Sequence, residues 1–290
     1  MIYQSLINSL DKITVQRNYR LAPLTKFGTG GNADVIVFPK TENELIKTLN
    51  LVKDYYPYFI IGGGSNLLIS DDGFRGVIIS TKYLTNVEIK GSLCIASCGA
   101  KIKNVVNETS NNCLSGLEFA VGIPATVGGA VAMIAGCYGK SIGDYVRYVV
   151  TDKGIFNNAE CEFSYRKSRF LTNNETVIKV CFNCIPQEED YIEDKIKQYK
   201  SFRKNPKGRN SGSVFKNDGY FAGKIIDEAG LKGYRIGDAK IAEEHANFII
   251  TESNATSKNV YDLINYIKKT VFEKKQINLS EEIIYLGEFK

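Results

Sequence analysis

The sequence predicts an α+β protein in two parts, and three observations carry that reading. Thr41 and Glu44 form a capping box for a helix lying between two apolar β-type runs, 34–38 and 59–61, so the chain opens β-α-β. The second run leads directly into Gly62-Gly63-Gly64-Ser65-Asn66, and another glycine-rich cluster follows at 116–130. A break at Asn205-Pro206-Lys207-Gly208 precedes the clearest amphipathic helix of the chain, marked by Val260, Leu263, Ile264, Ile267 and Val271. The first part is expected over 1–190, with 1–20 a helical or loose leader, and the second over 191–290, with charged residues 187–190 as the linker.

The elements follow in order. Residues 25–32 read as a glycine-rich turn, and 34–38 as an extended run that Pro39 breaks. Leu45, Leu49 and Val52 form the apolar face of the capped helix, which Pro57 ends. Further strands are expected at 76–80, 87–90, 93–98, 146–151 and 177–182, and a helix through Ile102, Val105, Val106 and Thr109. Pro124 suits the first turn of a helix whose N–H groups and dipole favour an anion, and Gly128, Gly129, Ala130 and Ala132 give it a face poor in side chains. Ile192, Ile196 and Tyr199 share a helix face before the break. Beyond it, Ala222, Ile225, Ile226 and Ala229 lie at helix spacing with Gly230 as C′ residue. Segments 236–242 and 247–251 read as strands, and 277–279 and 283–286 bracket Ser280-Glu281-Glu282.

Composition narrows the classes. With 43% hydrophobic and 24% charged residues, the chain has enough apolar material for a globular core. Its net charge of +5 is scattered, which argues against nucleic acid and suits a small anionic ligand. Asp11, Lys12, Arg17 and Arg20 interrupt any secretory leader, and no apolar run reaches membrane-helix length. Seven cysteines, an odd number, are expected as reduced thiols of a cytoplasmic protein. Cys181 and Cys184 fall on opposite faces of a strand, and with one histidine in the chain no metal site is expected.

The Gly62–Gly64 run lets the backbone turn through positive φ and bring N–H groups close to a phosphate or pyrophosphate, with Ser65 and Asn66 adding donors. No Gly-Lys-Ser/Thr follows, and no long helix opens directly behind the glycines, so neither a Walker loop nor a dinucleotide fingerprint is present. Two glycine clusters fit a long nucleotide held at both ends of its pyrophosphate.

Taken in order, the motifs resemble those of the UDP-N-acetylenolpyruvoylglucosamine reductase family. They are Thr25-Lys26-Phe27-Gly28-Thr29-Gly30-Gly31, the loop from Gly62 with Asp71 and Gly73, the cluster from Gly116 to Gly129, and Tyr165-Arg166-Lys167-Ser168. Gly212-Ser213-Val214-Phe215-Lys216-Asn217, His245-Ala246-Asn247-Phe248 and Leu279-Ser280-Glu281-Glu282 complete the series. The resemblance implies an FAD-binding domain of the vanillyl-alcohol-oxidase type and an α+β substrate domain. It implies hydride transfer from NADPH through FAD to an enolpyruvyl UDP-sugar, giving UDP-N-acetylmuramate for peptidoglycan precursor synthesis. The chain matches the family's shorter form, without the extra tyrosine-bearing loop.

On that resemblance, Gly62, Gly63, Gly64, Ser65, Asn66, Gly122, Ile123, Pro124, Thr126, Gly128 and Gly129 hold the cofactor. Arg166 steadies the substrate carboxylate as negative charge builds on it, since a guanidinium keeps its proton and forks onto a carboxylate. Ser213 is the proton donor to carbon, and Glu282 acts near the carboxylate, with Glu281 turned to the opposite face by alternation. Asn217 and Lys216 are expected to contact substrate. His245 lies in the substrate domain, so a dissociable FAD and a structural histidine are expected. A monomer is expected. Ala125, Ile134 and Asp218 stand where the family usually has Gly, Asn and Pro. Two further readings are another FAD-dependent oxidase of the same cofactor fold and a non-catalytic protein retaining it.

Overall fold

A computed structural model describes residues 3–203 and 205–290. In chain order the elements are α1 (Gln4–Ser9), β1 (Thr14–Arg20), β2 (Asn32–Phe38), α2 (Glu42–Val52), β3 (Tyr58–Ile61), β4 (Leu67–Ile69), β5 (Phe74–Ser80), β6 (Val87–Lys90) and β7 (Leu93–Ser97). They continue as α3 (Ile102–Asn111), β8 (Leu114–Ser115), α4 (Val127–Ala132), β9 (Gly136–Cys137), β10 (Lys140–Ser141), β11 (Val146–Thr151), β12 (Ile155–Asn157), α5 (Arg169–Thr172), β13 (Val177–Asn183), β14 (Ile185–Pro186) and α6 (Glu189–Phe202). The last part holds α7 (Ala222–Glu228), β15 (Arg235–Ile236), β16 (Ala239–Ile241), β17 (Ile249–Thr251), α8 (Ser257–Lys275) and β18 (Ile284–Leu286). A four-stranded sheet runs β1-β2-β5-β3.

The chain forms two compact units. The first comprises Met1–Gln16, Ile36–Gly63 and Ile78–Arg203; the second comprises Arg17–Val35, Gly64–Val77 and Lys204–Lys290. In the first, strands order as β12-β11-β13-β7-β6, antiparallel throughout. Central β13 is buried at Val177, Ile178, Val180, Cys181 and Phe182, as a strand covered on both faces must be. Helix α3 buries the stripe Ile102, Val105, Val106 and Thr109 and packs beside β6 and β7. Helix α6 packs on α3 and on the short turn Glu118–Ala120. Those contacts keep α6 with the first unit, so the compact units part at 203/204, whereas composition sets the boundary at 190/191.

The second unit has its own core, with Phe215, Ile226, Ile241, Ile249, Leu263, Ile264 and Ile267 fully buried between α7, α8 and the three-stranded sheet β15-β16-β17. Phe27 and Leu68, from the amino-terminal half of the sequence, complete that core. Strand β4 pairs in parallel with β18, Ile284 opposite Leu67. Asp71 lies at the start of α8: Oδ1 accepts the Ser257 N–H at 2.9 Å and Oδ2 the Lys258 N–H at 2.8 Å. A carboxylate on the first free amides of a long helix satisfies two orphan donors and meets the positive end of the dipole.

Several sequence readings change in detail. The leader holds α1 and the seven-residue strand β1, with Met1 and Ile2 outside the described residues. Segment 236–242 is the turn and second strand of a hairpin rather than one strand, because Gly237 adopts φ 53° and reverses the chain. Helix α4 begins at Val127 with Thr126 as N-cap, so Pro124 lies outside its first turn. Only half of the expected α2 capping box forms: Thr41 Oγ1 accepts the Glu44 N–H at 3.1 Å, whereas the Glu44 carboxylate reaches past the N-cap to the Lys40 N–H at 2.7 Å.

Candidate active site

In the first unit the two glycine clusters meet. The position of a Cβ on Gly63 lies 3.4 Å from the Pro124 carbonyl oxygen and 3.6 Å from the Thr126 nitrogen. A Cβ on Gly62 would overlap Thr126 Oγ1, so only glycine lets these loops close together. Thr126 is an N-cap residue whose hydroxyl makes no cap hydrogen bond. Its Oγ1 is buried without a hydrogen-bond partner among the described residues. Gly62, Gly122, Pro124 and Gly129 stay exposed. Arg203, at the end of α6, donates from Nη1 to the Gly122 carbonyl at 2.5 Å, holding that loop where Gly122 turns at φ 79°.

The start of α4 is less open than its sequence implies. The Val127 N–H donates to Ala100 O and the Gly128 N–H to Cys98 O, each at 2.8 Å. A Cβ on Gly128 would come within 2.9 Å of the Cys98 Cβ. Gly128 therefore serves close packing against the segment after β7, and the first two helix amides are already used.

Arg166 has φ 54°, in the left-handed region that β-substituted residues rarely adopt. Its Nη1 donates to the Ile134 carbonyl at 2.7 Å, and its guanidinium lies 5.3 Å from the Tyr165 ring centre. Ile134 is itself left-handed, at φ 48°. Asparagine adopts that conformation more readily than a β-branched residue, so Ile134 carries backbone strain there. Ser168 Oγ donates to Ala132 O at 2.7 Å, so the Tyr-Arg-Lys-Ser segment is moored at two points.

In the second unit Ser213 lies on an extended segment held from both sides. Ser213 bridges Phe248, and Phe215 bridges Glu281. The Val214 N–H donates to Asn247 O at 2.9 Å, the Glu282 N–H to Val214 O at 2.8 Å, and the Lys216 N–H to Ser280 O at 2.8 Å. Asn247, 2% exposed, clamps the neighbouring residue with its side chain. Its Oδ1 accepts the Phe215 N–H and its Nδ2 donates to Phe215 O, both at 2.9 Å. Sequence reasoning gave Asn247 no role. A lone amide in the apolar run Ala246-Asn247-Phe248-Ile249-Ile250 was the available signal, because buried amides are hydrogen-bonded.

The Glu281–Glu282 pair is resolved on one side. Glu281 Oε1 accepts Lys268 Nζ from α8 at 2.7 Å. Asn217 Oδ1 accepts the Ala222 N–H at 3.0 Å, at the start of α7. The His245 ring accepts the Asn247 N–H at Nδ1, 3.3 Å away, and packs 4.8 Å from the Phe248 ring. Gly64 takes φ 59°, and a Cβ there would overlap the Leu24 carbonyl. Ser65 O accepts Ser211 Oγ at 2.7 Å, and Asn66 Nδ2 donates to Glu282 O at 2.8 Å. The loop that begins at Gly62 therefore ends with polar ties to both the serine and the glutamate segments.

Residues 33–154 match the family model described as an FAD binding domain, which makes this a flavin-binding protein with a distinct carboxyl-terminal part. Residues 203–286 match the C-terminal domain model of UDP-N-acetylenolpyruvoylglucosamine reductase. The reductase of Clostridium kluyveri is 38% identical over 275 residues, spanning 91% of this chain and 90% of that one. The reductase of Caldanaerobacter subterraneus is 40% identical over 274 residues, 91% of each. The crystal structure of the enzyme from Thermus caldophilus superposes with a TM-score of 0.83 at 33% identity, over 95% of this chain and 100% of that one. The chain belongs to the UDP-N-acetylenolpyruvoylglucosamine reductase family.

The residues present fit the cofactor. Exposed peptide planes at Gly62 and Gly122, an unpaired Thr126 hydroxyl at their junction and the absence of any carboxylate in 62–66 or 122–129 suit a pyrophosphate. Gly62→Ala puts a methyl group onto Thr126 Oγ1. It is expected to weaken FAD binding about tenfold, or ~1.4 kcal/mol, in flavin fluorescence titrations. Unchanged affinity would remove this loop from the cofactor's site. Among the described residues no helix is long and apolar enough to cross a membrane, and no group of His, Cys, Asp and Glu could hold a metal ion.

Proposed function

We propose that this protein reduces the enolpyruvyl group of UDP-N-acetylenolpyruvoylglucosamine to the lactyl ether of UDP-N-acetylmuramate, with dissociable FAD as resident cofactor and NADPH as electron source. The observation that carries this is family membership over nearly the whole chain, with every motif of the series present in order. Bound FAD supplies the hydride-carrying centre. Everything else is the work of side chains.

Addition of hydride to an enol ether bearing a carboxylate builds an enolate, whose charge a fixed cation stabilises strongly where water is scarce. Arg166 is that cation, and its bond to Ile134 O presets the direction of its fork. Ser213 protonates the enolate carbon. A hydroxyl is a weak acid, so the transfer depends on placement, and the bonds of Val214 and Phe215 to Asn247 supply it. Glu282 acts beside the substrate carboxylate. Lys216 and Asn217 contact the substrate, and Gly62, Gly63, Gly64, Ser65, Asn66, Gly122, Ile123, Pro124, Thr126 and Gly129 hold the cofactor, with Gly128 supporting them by its packing on Cys98. NADPH and nucleotide sugars are cytoplasmic metabolites, which places the enzyme there, and no step calls for a second copy of the chain. The carboxyl-terminal part takes the substrate and the amino-terminal part the cofactor.

The test is anaerobic. The yellow protein should bleach with NADPH and regain its colour when the enolpyruvyl sugar is added. A protein that binds no flavin, or whose reduced form ignores the sugar, overturns the proposal.

A further inference from the structure

One residue of the glycine loop grips the glutamate segment twice. The Asn66 side chain donates from Nδ2 to Glu282 O at 2.8 Å. Its main-chain oxygen accepts the Ile284 N–H at 3.0 Å, where the parallel pairing of β4 with β18 begins. Glu282 is tied on its other edge to Val214 O, beside Ser213, at 2.8 Å. The preceding loop residue, Ser65, accepts Ser211 Oγ at 2.7 Å, two positions before Ser213. Loop residues 65 and 66 thus hold the approaches to both the serine and the glutamate.

Register matters here more than strength. Two glutamates stand side by side, and on an extended chain they face opposite ways. A slip of one residue would exchange them, placing Glu281 where Glu282 belongs. One edge of 280–282 is paired with 214–216, and on the other edge main-chain pairing begins only at Ile284, in a short three-residue ladder from Ile284–Leu67 to Leu286–Ile69. On that β4 edge the Asn66 amide adds an anchor two residues earlier, on the carbonyl of Glu282 itself.

We propose that Asn66 is a positioning residue for Glu282: its side-chain amide locks the 280–284 segment in the one register that presents Glu282 rather than Glu281 to the substrate. The loop that begins by cradling the cofactor therefore ends by setting the carboxylate used in the second half-reaction. This rests on the role given to Glu282 above.

The test uses the full chain with Asn66→Ala, and with Asn66→Asp, which keeps the volume but removes the donor. In flavin-free protein, amide exchange across 280–286 should accelerate about tenfold or more in both variants, as expected for local loosening. In the holoenzyme at saturating FAD, reoxidation by the enolpyruvyl sugar should slow about 10–100-fold, well beyond any slowing of reduction by NADPH in the same variant. Combined with Glu282→Gln, Asn66→Ala should add almost nothing, because both changes disable one group. Multiplying rate losses in the double variant, or unchanged exchange at 280–286, overturns the proposal. Wild-type reoxidation by the sugar separates the two ideas. If it occurs and the Asn66 variants match it, positioning falls alone. If it fails, the substrate reading falls, and exchange at 280–286 still decides the tether.

Discussion

Ser213→Ala is expected to split the catalytic cycle. Bleaching by NADPH should stay within about threefold of wild type, because no proton is delivered to substrate carbon in that half. Reoxidation by the enolpyruvyl sugar should slow about 10²–10⁴-fold, the range for loss of a positioned general acid. Stopped-flow absorbance of the flavin reads both halves in one protein. The mutation removes an oxygen from a half-buried position on a segment whose main-chain bonds run through Val214 and Lys216, so the fold should be unaffected. Equal loss in both halves would mean that the serine is not the donor.

Asn247→Leu is expected to have the largest effect on stability. The substitution strips the Phe215 N–H and C=O of their side-chain partners and leaves both in the interior, since Phe215 is 1% exposed. Each abandoned buried group costs about 1–3 kcal/mol, so the protein should lose roughly 2–5 kcal/mol in urea denaturation. Survivors should reoxidise slowly with the sugar while still bleaching with NADPH, because the clamp acts next to Ser213. A loss below about 0.5 kcal/mol, the level of an ordinary surface change, would show that the clamp does not hold this segment.

Much of the architecture could be read from the sequence because burial is periodic. Helices α2, α3 and α8 bury the residues that their spacing marks, as at Leu45, Leu49 and Val52 or Val260, Leu263, Ile264, Ile267 and Val271. Strand β1 was illegible for the opposite reason: Thr-Val-Gln-Arg-Asn-Tyr-Arg buries none of its residues fully, so no apolar pattern marks it. Both glycine loops could be anticipated from backbone freedom, and a shared role from the pyrophosphate they would hold; their direct contact at Gly62, Gly63, Pro124 and Thr126 came from the fold. The partners that consume amides at Val127 and Gly128 could not be anticipated, because they arrive from Ala100 and Cys98. Nor does any local pattern tie Asn66 to Glu282 or Asp71 to α8, contacts that span 216 and 186 residues. Motifs named the residues worth watching, whereas the side chains that aim them came only from the fold.

The second unit cannot be cut out as a tail of the gene. A fragment beginning near Arg203 would lack Phe27, Leu68 and Asp71, leaving gaps in its interior, the Ser257 and Lys258 amides of α8 without their carboxylate, and β18 with an open edge where β4 should pair. Open edges of that kind invite self-association. On the ribosome, segments 17–35 and 64–77 emerge long before the residues that bury them. The nascent chain therefore carries apolar side chains such as Phe27 and Leu68 without their core until residues beyond 204 are made.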